Sequence, residues 1–312
     1  WGTPCYVYSK HHIQSTYQGY AQAFGGADHQ ICYSVKANSN LTLLNLLARM
    51  GSGFDIVSGG ELARVLAAGG DPARTVFSGV GKSSADIEFA LRSDIGCLNI
   101  ESEAELERVV LIAQRLGVVA PVAFRVNPDV DPKTHPYIST GLKVNKFGVP
   151  IEAARAIYRQ AATLPGIRVC GLDCHIGSQL TQIAPFEDAL ERLLILYDQL
   201  QDDGIAIEHL DLGGGLGIAY SPEEQVPTKQ ALITTLLERI GKRPLRLMIE
   251  PGRSIVGNSA VLLTRVEYLK PTEVKRFAIV DAGMNDLIRP SLYDAWMDVV
   301  AVSRRKEPEL EY

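Results

Sequence analysis

Few cysteines, few tryptophans and no block of like charge mark this 312-residue sequence, and each shortage closes off a class of protein. The five cysteines, Cys5, Cys32, Cys97, Cys170 and Cys174, are an odd set lying mostly in apolar runs, so reduced thiols are expected rather than a disulfide framework. No apolar run approaches the roughly 20 residues that a membrane-spanning helix needs, and Trp1-Gly2-Thr3-Pro4 lacks a basic-then-apolar targeting pattern. The net charge of −5 is the balance of 31 basic and 36 acidic residues with no basic stretch, which argues against a nucleic-acid or polybasic membrane surface. A cytoplasmic protein with small-molecule chemistry is the expectation. Cys170, Cys174 and His175 crowd together in sequence, but the two cysteines share one extended run and no fourth ligand accompanies them, so no metal is expected.

What the chain does have is a repeated rhythm. Short β-branched, apolar runs at Ile31–Val35, Phe54–Val57, Thr75–Ser78, Cys97–Ile100, Val122–Val126, Val169–His175, His209–Leu212 and Leu245–Ile249 read as strands. Between them lie amphipathic segments, Leu41–Met50, Gly60–Ala68, Ser83–Arg92, Glu103–Leu116, Ile151–Leu164, Phe186–Gln201 and Lys229–Ile240, several opened by a capping Ser or Asp. About eight such units over roughly 250 residues predict an α/β fold, a (β/α)8 TIM-type barrel rather than an open doubly wound sheet. The barrel is expected over residues 1–257, with Pro4–Ser9 as a lead-in strand outside it and a helix over Lys10–Phe24. From residue 258 the rhythm changes: Val261–Tyr268, Phe277–Val280 and Met297–Val302 read as strands without long helices, the start of a β-rich domain over 258–312. Three strands would leave open edges, so the polypeptide is expected to continue beyond Tyr312.

In a parallel barrel the reactive groups come from the carboxyl ends of the strands. Tyr33-Ser34-Val35-Lys36-Ala37-Asn38 puts an amine there, where burial would lower its pKa and favour condensation with an aldehyde cofactor; a lone lysine after a strand is otherwise a solvated cap. Asp211-Leu212-Gly213-Gly214-Gly215-Leu216-Gly217 follows the seventh strand, where barrels commonly bind phosphate and where Gly213, Gly214 and Gly215 let backbone N–H groups converge; a plain flexible turn is the alternative. The spacing is not that of a dinucleotide fingerprint. Ile249-Glu250-Pro251-Gly252-Arg253 supplies a carboxylate suited to a pyridine nitrogen and an arginine suited to an anion, against the alternative of a surface ion pair. Cys174-His175-Ile176-Gly177-Ser178 offers an imidazole to lie against a ring and a hydroxyl for a phosphate. Asp55 and Arg125 point to the same rim, or are members of an ordinary ion pair.

Taken in order, Ser34–Asn38, Phe54-Asp55-Ile56-Val57-Ser58-Gly59-Gly60-Glu61, His175–Ser178, Gly213–Gly215 and Glu250–Arg253 resemble the alanine-racemase-like, fold-type III pyridoxal-phosphate decarboxylases over nearly the whole chain. Tyr137–Lys143 with Lys146-Phe147-Gly148, and Asp281-Ala282-Gly283-Met284-Asn285 followed by Arg289-Pro290-Ser291-Leu292-Tyr293, resemble the diaminopimelate branch rather than the ornithine or arginine branch. The resemblance implies that pyridoxal 5'-phosphate is carried on Lys36, with His175 against its ring and Glu250 on its nitrogen, and with the phosphate held by Ser178 and the amides of Gly213, Gly214 and Gly215. Asp55, Arg125, Gly252 and Arg253 would complete the cofactor site, and Arg253, Arg289 and Tyr293 would read the amino-acid-like far end of meso-diaminopimelate. The product would be lysine. The resemblance also implies a homodimer and a later segment, after Tyr312, bearing a catalytic cysteine. None of the five cysteines matches that segment, so the proton-donor role is assigned to none of them. Another decarboxylase or racemase of the same fold, or a cofactor-binding fragment without turnover, are the alternatives.

Overall fold

The computed structural model describes residues 1–130 and 146–303, which divide into two compact units. One comprises His12–Ile218 and Gln225–Asn258; the other comprises Trp1–His11, Ala219–Glu224 and the residues from Ser259 onward.

The strands, in chain order, are β1 Cys5–Tyr8, β2 His29–Ser34, β3 Gly53–Ile56, β4 Thr75–Phe77, β5 Cys97–Ile100, β6 Ala120–Asn127, β7 Val149–Pro150, β8 Ile167–Asp173, β9 His209–Asp211, β10 Arg246–Ile249, β11 Ala260–Leu263, β12 Val266–Pro271 and β13 Arg276–Val280. In the larger unit the order β5-β4-β3-β2-β10-β9-β8-β6, closed by pairing of β5 with β6, makes an eight-stranded parallel barrel, the fold expected from the sequence rhythm.

Side chains alternate between the two faces of each strand. One set, including Tyr33, Phe54, Ile56, Phe77, Leu98, Phe124, Leu172, Leu210 and Leu247, joins the main core with buried helix residues such as Leu44, Leu47, Leu62, Val65, Ile87 and Val109. The alternate positions fill the barrel with a small cluster, Cys32, Val76, Cys97, Ala123, Cys170 and Met248, and with buried polar residues. Helix starts are fixed locally: the Asn40 side chain accepts from the Thr42 N–H, Ser102 from that of Glu105 and Thr228 from that of Ala231, while Ser83 and Asp86 form a reciprocal capping box.

In the smaller unit β1 pairs antiparallel with β11, Cys5 opposite Leu263 and Tyr8 opposite Ala260, and β12 and β13 form a hairpin. The N-terminal strand, counted with residues 1–257 in the sequence reading, therefore joins the C-terminal strands, because β11 supplies its hydrogen-bond partners. Asp281 ties this unit together, accepting from the Thr264 hydroxyl at 2.6 Å and the Arg265 N–H at 3.0 Å. Met297–Val302, expected as a strand, is not one: its valines are open to solvent, and among the described residues nothing pairs with them. Apolar alternation alone does not make a strand where the ladder has no second side.

Candidate active site

The polar residues of the barrel gather at the carboxyl ends of its strands. At the end of β2 the Lys36 amine lies 2.8 Å from Asp55 Oδ2, and the same oxygen accepts from the Ser34 hydroxyl at 2.7 Å. Asp55 is buried, and its Oδ1 has no hydrogen-bond partner among the described residues. Burial would lower the Lys36 pKa, as the sequence reading expected, but the negative charges of Asp55 and Glu250 outweigh it and the net direction is up. The amine is held as ammonium.

Glu250, at the end of β10, is buried and has the Ser78 hydroxyl 3.4 Å from Oε1. Burial, then the neighbouring charges of Asp211, Asp55 and Asp173, drives its pKa well above the usual carboxylate range. One carboxylate oxygen from each of Asp173, Asp211 and Glu250 lies within 4.8 Å of the others. Each of the three disfavours the ionisation of the others.

The glycine loop after β9 packs without side chains because there is no room for them. A Cβ on Gly213 would stand 2.5 Å from His175 Nδ1, one on Gly214 2.2 Å from the Glu250 carbonyl oxygen, and one on Gly215 2.4 Å from the Gly177 carbonyl oxygen. That last approach sets the loop carrying half-buried Ser178 against the glycines, and Leu180 N–H donates to the Gly215 carbonyl at 2.9 Å. The Gly214 N–H donates to His175 Nδ1 at 3.2 Å, which leaves the ring proton on Nε2. Burial, then the charges of Arg125 and Lys36, holds the imidazole pKa well below its usual value, so the ring is neutral.

Arg125, inside β6, donates to Glu101 at 3.2 Å and to the His175 carbonyl at 3.2 Å, and its guanidinium lies over the Phe147 ring at 4.7 Å. Glu101 also accepts from the Gly148 N–H at 2.7 Å, which connects the Lys146-Phe147-Gly148 stretch to the barrel mouth. Tyr137–Lys143 lies outside the described residues. Arg253 follows Gly252 and donates to Gln179 at 3.4 Å.

Lys36, Asp55, Arg125, His175, Ser178, Gly213, Gly214, Gly215, Glu250, Gly252 and Arg253 thus belong to the barrel unit, whereas Arg289 and Tyr293 belong to the other. There the Arg289 guanidinium lies 5.0 Å from the Tyr220 ring and 5.4 Å from that of Tyr293, with its Nε buried and without a hydrogen-bond partner among the described residues. Ser34, Ser78, Asn99, Glu101, Asp173 and Asp211 were not singled out from the sequence. Their signal was a polar residue on the interior alternation of an otherwise apolar strand.

The sulfur-rich grouping differs from the one considered in the sequence. Cys97, Cys170 and His209, not Cys170, Cys174 and His175, bring ligand atoms within 4.8 Å of one another. They lie low in the barrel, where Cys97 and Cys170 touch at 3.6 Å and the Cys170 thiol donates to the Val122 carbonyl at 3.3 Å. Among the described residues this grouping brings three donor atoms together.

Residues 10–257 match the pyridoxal-dependent decarboxylases, pyridoxal binding domain. The chain belongs to this family. It is 62% identical over 311 residues to the diaminopimelate decarboxylase of Pseudomonas aeruginosa, covering 100% of this chain and 75% of that one. The diaminopimelate decarboxylase of Vibrio cholerae is 56% identical, covering 98% and 73%. The crystal structure of diaminopimelate decarboxylase from Helicobacter pylori complexed with L-lysine superposes with a TM-score of 0.95 at 43% identity, covering 98% of this chain and 77% of that one. Within the decarboxylase family the chain therefore stands among the diaminopimelate decarboxylases. No helix among the described residues is long and apolar enough to cross a membrane.

Proposed function

We propose that this protein converts meso-2,6-diaminopimelate to L-lysine and carbon dioxide, using pyridoxal 5'-phosphate held at the barrel mouth. The observation that carries the reading is the convergence of an amine, the carboxylate bonded to it and a glycine cradle in a member of the decarboxylase family.

Three features fit the cofactor. Among the described residues the buried Asp55 Oδ1 lacks a partner, the glycines bring the chain against the His175 and Glu250 segments with no side chain between, and the buried Glu250 carboxylate is met by the Ser78 hydroxyl at 3.4 Å with other carboxylates as its main charged neighbours. Pyridoxal phosphate, when bound, withdraws electrons from the substrate carbon that loses carbon dioxide.

The chain's own residues divide the remaining work. Lys36 would be the residue that carries the cofactor, and Asp55, accepting from its amine at 2.8 Å, holds the amine's proton in place. Glu250 would serve the ring nitrogen and His175, a neutral imidazole, would lie against the ring; of the amides assigned to the phosphate, those of Gly213 and Gly214 already donate to Asp211 and His175, so Ser178 and the Gly215 amide would take the larger share of holding it. Gly252 lets the backbone pass close by, since a Cβ there would stand 3.0 Å from that of Ala37. Arg125 braces the rim through Glu101 and the His175 carbonyl. Arg253, Arg289 and Tyr293 read the far carboxylate and amine of the substrate, a task suited to planar guanidinium groups. The protein acts as a cytoplasmic homodimer with small-molecule substrate only.

The test is to supply the full-length protein with pyridoxal phosphate and meso-diaminopimelate, follow lysine and carbon dioxide, and map the peptide labelled by borohydride. Lysine should form and Lys36 should carry the pyridoxyl group. A label on Lys82 or Lys146, or faster turnover of ornithine than of diaminopimelate, would sink the reading.

A further inference from the structure

None of the roles proposed above uses Asp211. It is buried at the end of β9 beneath the cradle, in the company of two other carboxylates. That is a costly place for a carboxyl group. Its one hydrogen bond among the described residues is to the backbone: Oδ1 accepts from the Gly213 N–H at 2.8 Å, while Oδ2 has no partner. A carboxylate that bonds the N–H two residues on closes a local turn and fixes the peptide unit there.

The peptide so fixed is the first of the cradle. Gly213 has φ +66°, in the left-handed region, and a side chain on it would meet the His175 ring, so packing by a larger residue cannot hold this backbone in place. Two further bonds issue from the same stretch. The Gly213 carbonyl accepts from the Glu250 N–H at 2.8 Å, and the Gly214 N–H donates to His175 Nδ1 at 3.2 Å. The second bond sets which ring nitrogen of His175 carries the proton. The Asp211 carbonyl meanwhile accepts from the Cys174 N–H at 2.9 Å, fixing the residue just before the imidazole.

We infer that Asp211 is a positioning residue: by holding the Gly213 N–H it sets the glycine cradle, the tautomer and plane of His175, and the backbone of Glu250 together. The inference rests on the pyridoxal reading of this site. It makes the acceptor oxygen, and not the negative charge, the feature that matters, because no cation among the described residues bonds to Asp211 and the groups packed against its carboxyl, Asp173 and Glu250, are themselves carboxylates.

Asparagine keeps the acceptor oxygen and alanine removes it, so the two variants separate positioning from charge. In the full-length enzyme Asp211→Ala should bind pyridoxal phosphate about ten-fold more weakly, the equivalent of one lost hydrogen bond, and shift the cofactor's absorbance band. Asp211→Asn should stay within about three-fold of wild type in cofactor Kd and keep the band unmoved. Asp211→Leu, of similar volume and without an acceptor, serves in place of an alanine variant that does not fold. If neither apolar variant folds, Asp211→Asn decides alone, and a Kd more than about ten-fold above wild type overturns the inference. Equal binding by alanine and wild type, or an asparagine variant as impaired as the alanine one, also overturns it while leaving the pyridoxal reading intact. A wild-type enzyme that takes up no pyridoxal phosphate overturns that reading and this inference with it.

Discussion

At the scale of single residues, chemistry here is set by who the neighbours are. Lys36 illustrates it: burial by itself would lower the amine's pKa, yet Asp55 at 2.8 Å and the charge of Glu250 reverse the direction. Its sequence position identified the lysine, but its protonation depended on a residue nineteen positions away that β3 brings alongside. Arg289 is a second case. With the Tyr220 and Tyr293 rings 5.0 and 5.4 Å away, its guanidinium makes cation–π contacts through a broad planar cation that a compact lysine ammonium does not reproduce. Arg289→Lys should weaken transition-state binding of diaminopimelate by about 1–3 kcal/mol, the range for a lost charge-assisted bond, with the cofactor spectrum unchanged. Comparing kcat/KM on meso-diaminopimelate for the two enzymes checks this, and equal values would remove Arg289 from substrate reading.

At the scale of elements, the barrel is regular except between β6 and β8. Val122 pairs with Val169 and Ala123 with Gly171, so Cys170 is an extra residue in the ladder. The Tyr158 hydroxyl, from the helix Ile151–Ala161, repairs the break by accepting from the Phe124 N–H at 3.0 Å and donating to the Gly171 carbonyl at 2.7 Å. Gly171 is itself constrained, since a Cβ would fall 2.1 Å from His209 Nε2. Tyr158→Phe keeps the ring and leaves a buried N–H unpaired, which should cost about 1–3 kcal/mol in denaturant unfolding. An unchanged midpoint would mean that the ladder closes without the hydroxyl. The barrel's strands and helices were legible in the sequence to within a few residues because apolar period and capping residues are local signals, whereas in the smaller unit Val261–Tyr268, read as one strand, is divided between β11 and β12, and Met297–Val302 is none. The bulge was not legible, because it is a mismatch between two strands.

For the molecule as a whole, the buried acids should govern how stability depends on pH. Burial first, with the charges of Glu101 and Asp55 adding to it and Arg125 and Lys82 opposing it, pushes Asp173 up to about 7. The folded state then binds more protons than the unfolded one between the ordinary carboxylate range and neutrality, so this group's stabilisation is present at low pH and is lost as pH rises towards 7. Buried His209, lowered to about 4 by burial and then by Arg246 and Arg168, acts oppositely, destabilising the fold as pH falls from about 6.5 towards 4. In the cofactor-free protein Asp173→Asn should therefore reduce the loss of stability between pH 5 and 7 by up to about 1.4 kcal/mol per pH unit. Melting temperatures across that range would test it, and parallel profiles would exclude Asp173 as the titrating group.

The sequence by itself determined the barrel, through the alternation of buried strands with capped amphipathic helices. It also located the residues at the strand ends, because in such a barrel the carboxyl ends share one mouth whatever the loops do. Tertiary structure alone decided which interior groups meet. Asp173, Asp211 and Glu250 come from three different strands, Cys97 touches Cys170 across 73 residues, and the N-terminal strand leaves the barrel to pair with β11. Those contacts depend on the stagger of closed strands and on which edge offers free hydrogen bonds, quantities that belong to pairs of segments and are written in neither one.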